Sequence, residues 1–264
     1  MANPAVTYER EIVPALFRPW ANVLLDIAHP APGERALDLA CGTGIVARLA
    51  AVRMGGGGRV VGFDLNPAML EVARDAAQRE GLDIQWQQGD MTALPFDAGS
   101  FDLALCQHGL QFVPDRAAAL AQIRRVLRAG GRLALTTWQG LEHHAFWSHF
   151  NDVLVRLIGI PAMAAPFALS DAQVLRSLLE EAGFSSVEIR THSMPATFPD
   201  PNDFVAMEVD VIAAAIPATQ HLDDRARAEL TRAAEAEMAA PIRQQLRDGR
   251  LVVPMHALLA HAIA

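Results

Sequence analysis

Three carboxylates and one glycine turn carry the chemistry that can be read from this chain. The run Asp38-Leu39-Ala40-Cys41-Gly42-Thr43-Gly44 closes an apolar stretch and opens onto a helical pattern. Glycines let a backbone turn tightly and approach a ligand, and the unpaired N–H groups of a helix start favour electron-rich atoms. Residues 42–47 read G-x-G-x-x-A, which fits a dinucleotide fingerprint, although a ligand-free strand-to-helix turn uses the same glycines. Asp64, twenty residues after Gly44, ends the next apolar stretch, where a carboxylate can accept both hydroxyls of a ribose. It equally fits a helix cap ahead of Pro67. Asp38 lies inside an apolar run, where a charge needs a partner to offset desolvation, and a ligand ammonium would supply one. Gly89-Asp90-Met91 follows a third expected strand, IQWQ (84–87), where the carboxylate can accept an adenine amino group. Each Asp alone is more often a turn residue than a ligand. All three, at successive strand ends around one glycine turn, are hard to explain as coincidence.

The elements that must position these residues alternate between helix and strand. Residues 9–28 carry Ile12, Val13, Leu16, Phe17, Trp20, Val23, Leu24 and Ile27 near a 3.6-residue period, which predicts an amphipathic helix. Strands follow at 35–40, 59–63, 84–87, 101–106 and 132–138, separated by helices over about 44–54, from Pro67 to Gly81, and from a cap at Asp115 to about Leu127. Five such strands alternating with helices predict an open parallel sheet covered on both faces. The second half is less regular. Helices are expected at 144–158, from a Ser170 cap to Gly183, and across the alanine-rich 203–247; strands are expected at 187–194 and 250–260. Pro254 inside the last run predicts an edge strand or a bulge.

Composition narrows the function. The 264 residues contain 22 arginines, no lysine and 30 acidic side chains, for a formal charge of −8. The absence of lysine removes a Schiff base, a P-loop lysine and a Tyr-x-x-x-Lys relay. With no basic block to release counterions from phosphate, nucleic acid is not an expected partner. No stretch reaches the roughly 18 apolar residues of a spanning helix, so no membrane insertion is expected. The amino terminus shows no charged start followed by an apolar core, and two cysteines make no disulfide framework. These features predict an acidic globular protein of the cytoplasm. The oligomeric state stays open, with a homodimer among the options.

The segments LDLACGTG (37–44), VVGFDLNPAML (60–70), QQGDMTALPFDAGSFDLALCQHGLQFVPD (87–115) and RRVLRAGGRLALTTW (124–138) resemble class I S-adenosylmethionine-dependent methyltransferases, nearest to the branch that modifies small molecules in bacteria. The resemblance implies one α/β domain over 1–264. Its sheet would be Rossmann-like and doubly wound, with seven mostly parallel strands in the order 3-2-1-4-5-7-6 and strand 7 antiparallel. Residues 1–31 would form an amino-terminal helical cap, 35–138 the cofactor core, and 203–247 a helical insertion over the active site. Carried over by position, Ala40, Gly42 and Gly44 would lie against the methionine part of S-adenosylmethionine, and Asp38 would help hold its amino group. Asp64 would take the ribose, with Leu65 and Met69 near the adenine. Gly89 and Asp90 would form the turn whose carboxylate accepts the adenine amino group, and the Met91 N–H would face the ring. Gln107 would sit beside the methionine moiety, and Tyr8 would close the pocket.

His108, just past the fourth strand, is a candidate general base for a hydroxyl acceptor, against the plainer reading of a histidine that packs in its loop. His143, His144 and His149 are spaced by one and five residues, unlike the pairs of zinc helices, and no metal is expected. Cys41 and Cys106 read as small buried side chains. The expected activity is transfer of a methyl group to a small-molecule acceptor, which the family likeness implies is a metabolite. Two other readings compete: a cyclase or ligand sensor that only binds the cofactor, and an NAD-dependent oxidoreductase.

Overall fold

The computed structural model describes residues 4–215, 219 and 222–264. Eight strands form one sheet: β1 (Arg35–Leu39), β2 (Arg59–Asp64), β3 (Gln85–Gln88), β4 (Phe101–Gln107), β5 (Leu127–Trp138), β6 (Ser185–Phe198), β7 (Leu246–Arg247) and β8 (Arg250–Ile263). Their order is β3-β2-β1-β4-β5-β8-β6, with β7 paired to β8. The first five run parallel, and β8 is antiparallel to both its long neighbours, β5 and β6. The seven-strand order expected from the resemblance is therefore present, with one short strand more. That strand arises from Asp248-Gly249, which both hold positive φ (50° and 75°) and join Leu246 and Arg247 to Leu251 and Arg250. A two-residue hairpin turn requires that geometry, and Asp-Gly supplies it cheaply.

Side chains alternate across the sheet and so divide the core. Ala36, Leu103, Leu105 and Ala134 pack with Leu24 and Leu25 of α2 (Arg18–Ala28) and with Ile45, Val46 and Ala50 of α3 (Ile45–Met54). Leu37, Leu39, Ala104 and Leu135 face the other way, onto α5 (Arg116–Val126) and α7 (Ala172–Glu181). The same alternation puts Asp38 on the α3 side. A third core lies beyond the carboxyl ends of the parallel strands. It joins Trp20 and Trp138 to Phe146 and Phe150 of α6 (Ala145–Ile158), to Phe204 and Val205 of α8 (Phe204–Ala215), and to Ala234 and Met238 of α9 (Asp224–Gln244).

Three local expectations are corrected. The amino-terminal helix is divided into α1 (Pro4–Thr7), a π-helical stretch Tyr8–Phe17 and α2, with Pro14 inside the π-helix. A residue without an N–H is tolerated where the i→i−4 ladder is already interrupted. The cap of α7 is Asp171 rather than Ser170: its Oδ1 accepts the amides of Gln173 (2.7 Å) and Val174 (3.1 Å). A carboxylate also complements the helix dipole, which a hydroxyl does not. Finally, β8 is interior rather than an edge strand. Pro254 lies opposite Pro195 of β6, beyond the end of β5, whose last pair is Trp138 with Ala257. Two prolines can face each other only at a non-hydrogen-bonded pair, so neither removes a ladder bond there. The helical expectation over 203–247 is met by α8 and α9, while residues 216–218, 220 and 221 lie outside the described residues. Among the described residues, no helix is long and apolar enough to cross a membrane.

Candidate active site

β1 delivers Asp38 and then breaks sharply. Ala40 adopts φ 50°, a left-handed conformation that costs an L-residue about 1 kcal/mol, and Gly42 (54°) and Gly44 (82°) follow in the same region. Gly109, in the loop after β4, lets this turn pack closely, since a Cβ there would stand 2.4 Å from the Ala40 Cβ. His108 beside it also holds φ 49°. Two neighbouring strand ends thus carry strained non-glycine residues, a concentration typical of functional loops.

Asp38 is buried, and its Oδ2 accepts the Ala47 amide in the first turn of α3 at 2.9 Å. Burial drives its carboxyl well above the ordinary range, and the nearby Asp64 carboxylate adds to this. Asp64 is not the cap of α4 (Pro67–Arg79), because Asn66 Oδ1 accepts the Ala68 amide in that role. Instead Asp64 Oδ2 accepts the Gly42 amide and Oδ1 the Asn66 amide, both at 2.8 Å. Burial raises its carboxyl too, against the opposing pull of these amides. The Gly89 amide donates to the Asp64 carbonyl at 3.0 Å, which brings the third turn to the second. Asp90 is exposed and accepts the Thr92 amide and hydroxyl, both at 2.8 Å, which hold its carboxyl below the ordinary value. Leu65 is exposed, Met69 half-buried, and the Met91 side chain is buried beside Phe63 and Leu94.

Tyr8, Phe17, Asp38, Ala40, Gly42 and Gln107 converge on one cavity of about 30 Å³, also lined by Cys41, Thr43, Ile45 and Val46. Gln107 Nε2 donates to the Phe17 carbonyl at 2.8 Å, and the rings of Tyr8 and Phe17 lie 5.3 Å apart. Glu9 fastens the same segment to the turn: Oε2 accepts the Thr43 hydroxyl at 2.6 Å, and Oε1 meets the buried Arg48 guanidinium at 2.5 Å. Arg48 also pairs with Glu80. Burial first, then the charges of Asp64, Glu9 and Glu208, hold the Tyr8 hydroxyl firmly protonated.

The turn and its carboxylates fit a cationic, nucleoside-bearing ligand. A Cβ added at Gly42 would meet no heavy atom within 4 Å, so open space stands beside its Cα. Two carboxylates raised by burial beside that space are what a ligand ammonium or sulfonium would offset.

His108 stands apart from the cavity. Its ring stacks on Trp138 at 3.6 Å and 12°, with Trp20 at 5.9 Å and Phe17 at 6.1 Å. Burial lowers its pKa well below the ordinary value, and neither ring nitrogen has a hydrogen-bond partner. Trp20 Nε1, Thr136 Oγ1 and Thr137 Oγ1 are likewise buried without partners. The three clustered histidines are dispersed. His143 and His149 are exposed; His144 Nδ1 lies 2.9 Å from the Gly140 carbonyl and its Nε2 accepts the His256 amide, which fixes the proton on Nδ1. No group of three or more His, Cys, Asp or Glu able to hold a metal occurs among the described residues. Cys41 and Cys106 are buried free thiols, raised by burial.

Reasoning from sequence missed the Glu9 tether, the Trp20–Trp138 wall and Glu208. Only the last left a readable trace, a carboxylate on the apolar stripe Val205, Glu208, Val209, Ile212.

Comparison with known proteins agrees with this geometry. The family model described as "Methyltransferase domain" matches residues 37–135, from β1 through most of β5. A 2-phytyl-1,4-naphtoquinone methyltransferase from Synechococcus elongatus is 37% identical over 171 residues, covering 62% of this chain and 71% of that protein. A ubiquinone/menaquinone biosynthesis C-methyltransferase from Legionella pneumophila is 33% identical over 181 residues, covering 62% and 72%. The crystal structure of the YcgJ protein from Bacillus subtilis shares the fold at a TM-score of 0.60 and 18% identity, covering 92% of this chain and 97% of that one. The glycine turn, the carboxylates around it and these relatives agree: the chain belongs to the class I S-adenosylmethionine-dependent methyltransferases, with S-adenosylmethionine as its cofactor.

Proposed function

We propose that the small molecule methylated by this enzyme is a planar aromatic ring bearing a hydroxyl group, of the phenol or quinol type. The observation that carries this reading is the wall of His108, Trp138, Trp20 and Phe17 at the ends of β4 and β5, with its unpartnered polar atoms. Stacked and edge-on rings favour a flat aromatic guest, and buried donors and acceptors left unpaired are costly until a ligand satisfies them. The two relatives above, named as a naphtoquinone and a ubiquinone/menaquinone methyltransferase, support the same class.

In this reading Asp38 and Gln107 hold the methionine end, Asp64 the ribose, and the Gly89–Met91 turn the adenine, with Leu65 and Met69 beside it. When bound, S-adenosylmethionine supplies an electrophilic methyl on a sulfonium for in-line displacement. The chain's own task is alignment and exclusion of water, and Tyr8, Phe17 and the α8–α9 insertion do this from above. His108 positions the ring through its stack rather than by taking a proton. Mass spectrometry of full-length enzyme with S-adenosylmethionine and 1,4-dihydroxynaphthalene, catechol or an aliphatic amine tests the proposal. One added methyl on the aromatic diols is expected. Transfer to the amine alone would overturn it.

A further inference from the structure

A cleft of about 460 Å³ lies outside the cofactor cavity, between the amino-terminal segment and α4. Two helical faces form its walls. Val6, Arg10, Pro14 and Arg18, each four residues from the next, come from α1, the π-helix and the start of α2. Val72, Ala76 and Arg79 come from α4. The cleft ends on Glu9 and on Arg48 of α3, whose side chain is almost wholly buried.

Its charges are unevenly committed. Arg48 holds both Glu9, at 2.5 Å, and Glu80. Arg10 pairs with Glu11 at 2.6 Å. Arg18 and Arg79 form no ion pair among the described residues, and Arg79 Nε donates instead to the Asp75 carbonyl at 3.1 Å. The lining as a whole sets four arginines against three carboxylates, on a protein whose formal charge is −8. Two of those carboxylates are spent on Arg48, which leaves only Asp75 against two exposed guanidiniums.

Between the charges the surface is apolar. Val72 and Ala76 are buried, whereas Val6 is 45% exposed, a large apolar side chain left in solvent. From Val72 to Glu80 the α4 wall runs eight residues, about 12 Å, which suits an elongated guest over a compact one. An apolar strip with free guanidiniums at its rim fits a hydrocarbon chain that ends in a carboxylate, since a guanidinium binds carboxylates through paired donors.

We propose that this cleft is an effector site for an amphipathic monocarboxylate. Its fatty-acid-like chain lies on Val6, Val72 and Ala76, and its carboxylate meets Arg18 and Arg79. Glu9 links the cleft to the cofactor: its Oε2 accepts the hydroxyl of Thr43 in the glycine turn at 2.6 Å, and its neighbour Tyr8 lines the cofactor cavity. A chain seated against both walls ties the amino-terminal segment to α4 and so holds that segment down over bound cofactor. Effector and S-adenosylhomocysteine then tighten each other's binding by one common factor, because coupling between two sites is reciprocal.

Calorimetry of the full chain with decanoate, with and without saturating S-adenosylhomocysteine, tests this. One decanoate per chain is expected, bound about fivefold or more tighter in the presence of S-adenosylhomocysteine, with the same factor in the converse titration. Replacing both Arg18→Gln and Arg79→Gln should weaken decanoate about tenfold or more, while S-adenosylhomocysteine affinity without decanoate stays within about twofold of the parent. Val6→Glu, at an exposed position, puts a carboxylate into the cleft and should weaken decanoate as much. 1-Decanol, which lacks the anion, should bind the parent no better than decanoate binds the double variant. No decanoate binding up to about 1 mM overturns the proposal. So does binding that survives both sets of substitutions, or binding that leaves S-adenosylhomocysteine affinity unchanged or weaker.

Discussion

Asp64 Oδ2 accepts the Gly42 amide at 2.8 Å, so the carboxylate that ends β2 holds the turn that ends β1. Its second oxygen accepts the Asn66 amide at the same distance. Each oxygen keeps one further acceptor site, enough for a hydroxyl apiece. The residue expected to bind a ribose is therefore also part of what shapes the glycine turn.

Substitution of Asp64 should accordingly cost more than ligand bonds alone. Two hydrogen bonds to a carboxylate, about 1.5 kcal/mol each, predict at least a hundredfold weaker S-adenosylhomocysteine binding for Asp64→Ala. Asp64→Asn should not be much milder, because its NH₂ would oppose either the Gly42 or the Asn66 N–H. Calorimetry decides, and an Asn variant that binds like the parent would remove Asp64 from both roles.

The two glycines of the turn should fail differently. A Cβ at Gly44 would stand 2.2 Å from the Trp86 ring with φ at 82°, so Gly44→Ala should destabilise the fold by about 2–3 kcal/mol. Gly42→Ala meets open space and should cost only about 1 kcal/mol of backbone strain, yet its methyl would occupy the ligand's approach. Thermal melts should therefore separate the pair, with Gly42→Ala nearly parent-like in Tm but weak in cofactor binding.

His108 should not govern the pH dependence. Burial holds the imidazole neutral over the working range, so His108→Asn should leave the pH profile unchanged. Loss of the stack on Trp138 should appear mainly as a higher KM for the acceptor, with kcat down by less than about tenfold. Disappearance of a pH limb in this variant would return His108 to the role of base.

Glu208 should weaken the protein as pH rises. Its folded pKa of about 8 exceeds the ordinary 4.5, so the folded state binds the extra proton between these values. Stability attributable to this group is then complete below about pH 4.5 and declines through pH 8. Glu208→Gln escapes the decline. It should melt higher than the parent at pH 9, by several degrees for a difference of a few kcal/mol, with the gap closing toward pH 5. Parallel melting curves across that range would show that Glu208 is not held in an unfavourable site.

The parallel half of the fold was legible because most of its strands pair an apolar run with a turn signal, from Asp38 and the glycines to the Asp115 cap, while the polar β3 (Gln85–Gln88) was read from its place between Gly81 and the Gly89-Asp90 turn. The later half was less so. Pro254 is disruptive only where its N–H is needed, and that depends on where β5 stops, a fact of the neighbouring strand. Ser170 and Asp171 are adjacent capping residues, which local pattern cannot rank. In the site, the clustering of Asp38, Gly42 and Gln107 follows from strand order, whereas the contacts of Trp20 with His108 and of Glu9 with Thr43 join segments far apart in sequence. Glu208 interrupts the apolar stripe of Val205, Val209 and Ile212, a trace visible in the sequence, but which face of this alanine-rich stretch is buried is selected by tertiary packing.

The Tyr8–Phe17 stretch has a kinetic consequence. Tyr8 and Phe17 roof a cavity of about 30 Å³, room for about one water, and the Phe17 ring also lies 6.1 Å from that of His108. With the acceptor against His108 as proposed, one piece of chain covers both ligands, and it must lift before S-adenosylmethionine, far larger than that cavity, can enter. Turnover should be compulsory in order: S-adenosylmethionine first, acceptor second, S-adenosylhomocysteine last to leave. Glu9→Ala, which removes the clasp to Thr43 and Arg48, should quicken cofactor association and dissociation together. Product inhibition by S-adenosylhomocysteine should be competitive against the cofactor and non-competitive against the acceptor, and a random-order pattern would mean that the two compartments open separately.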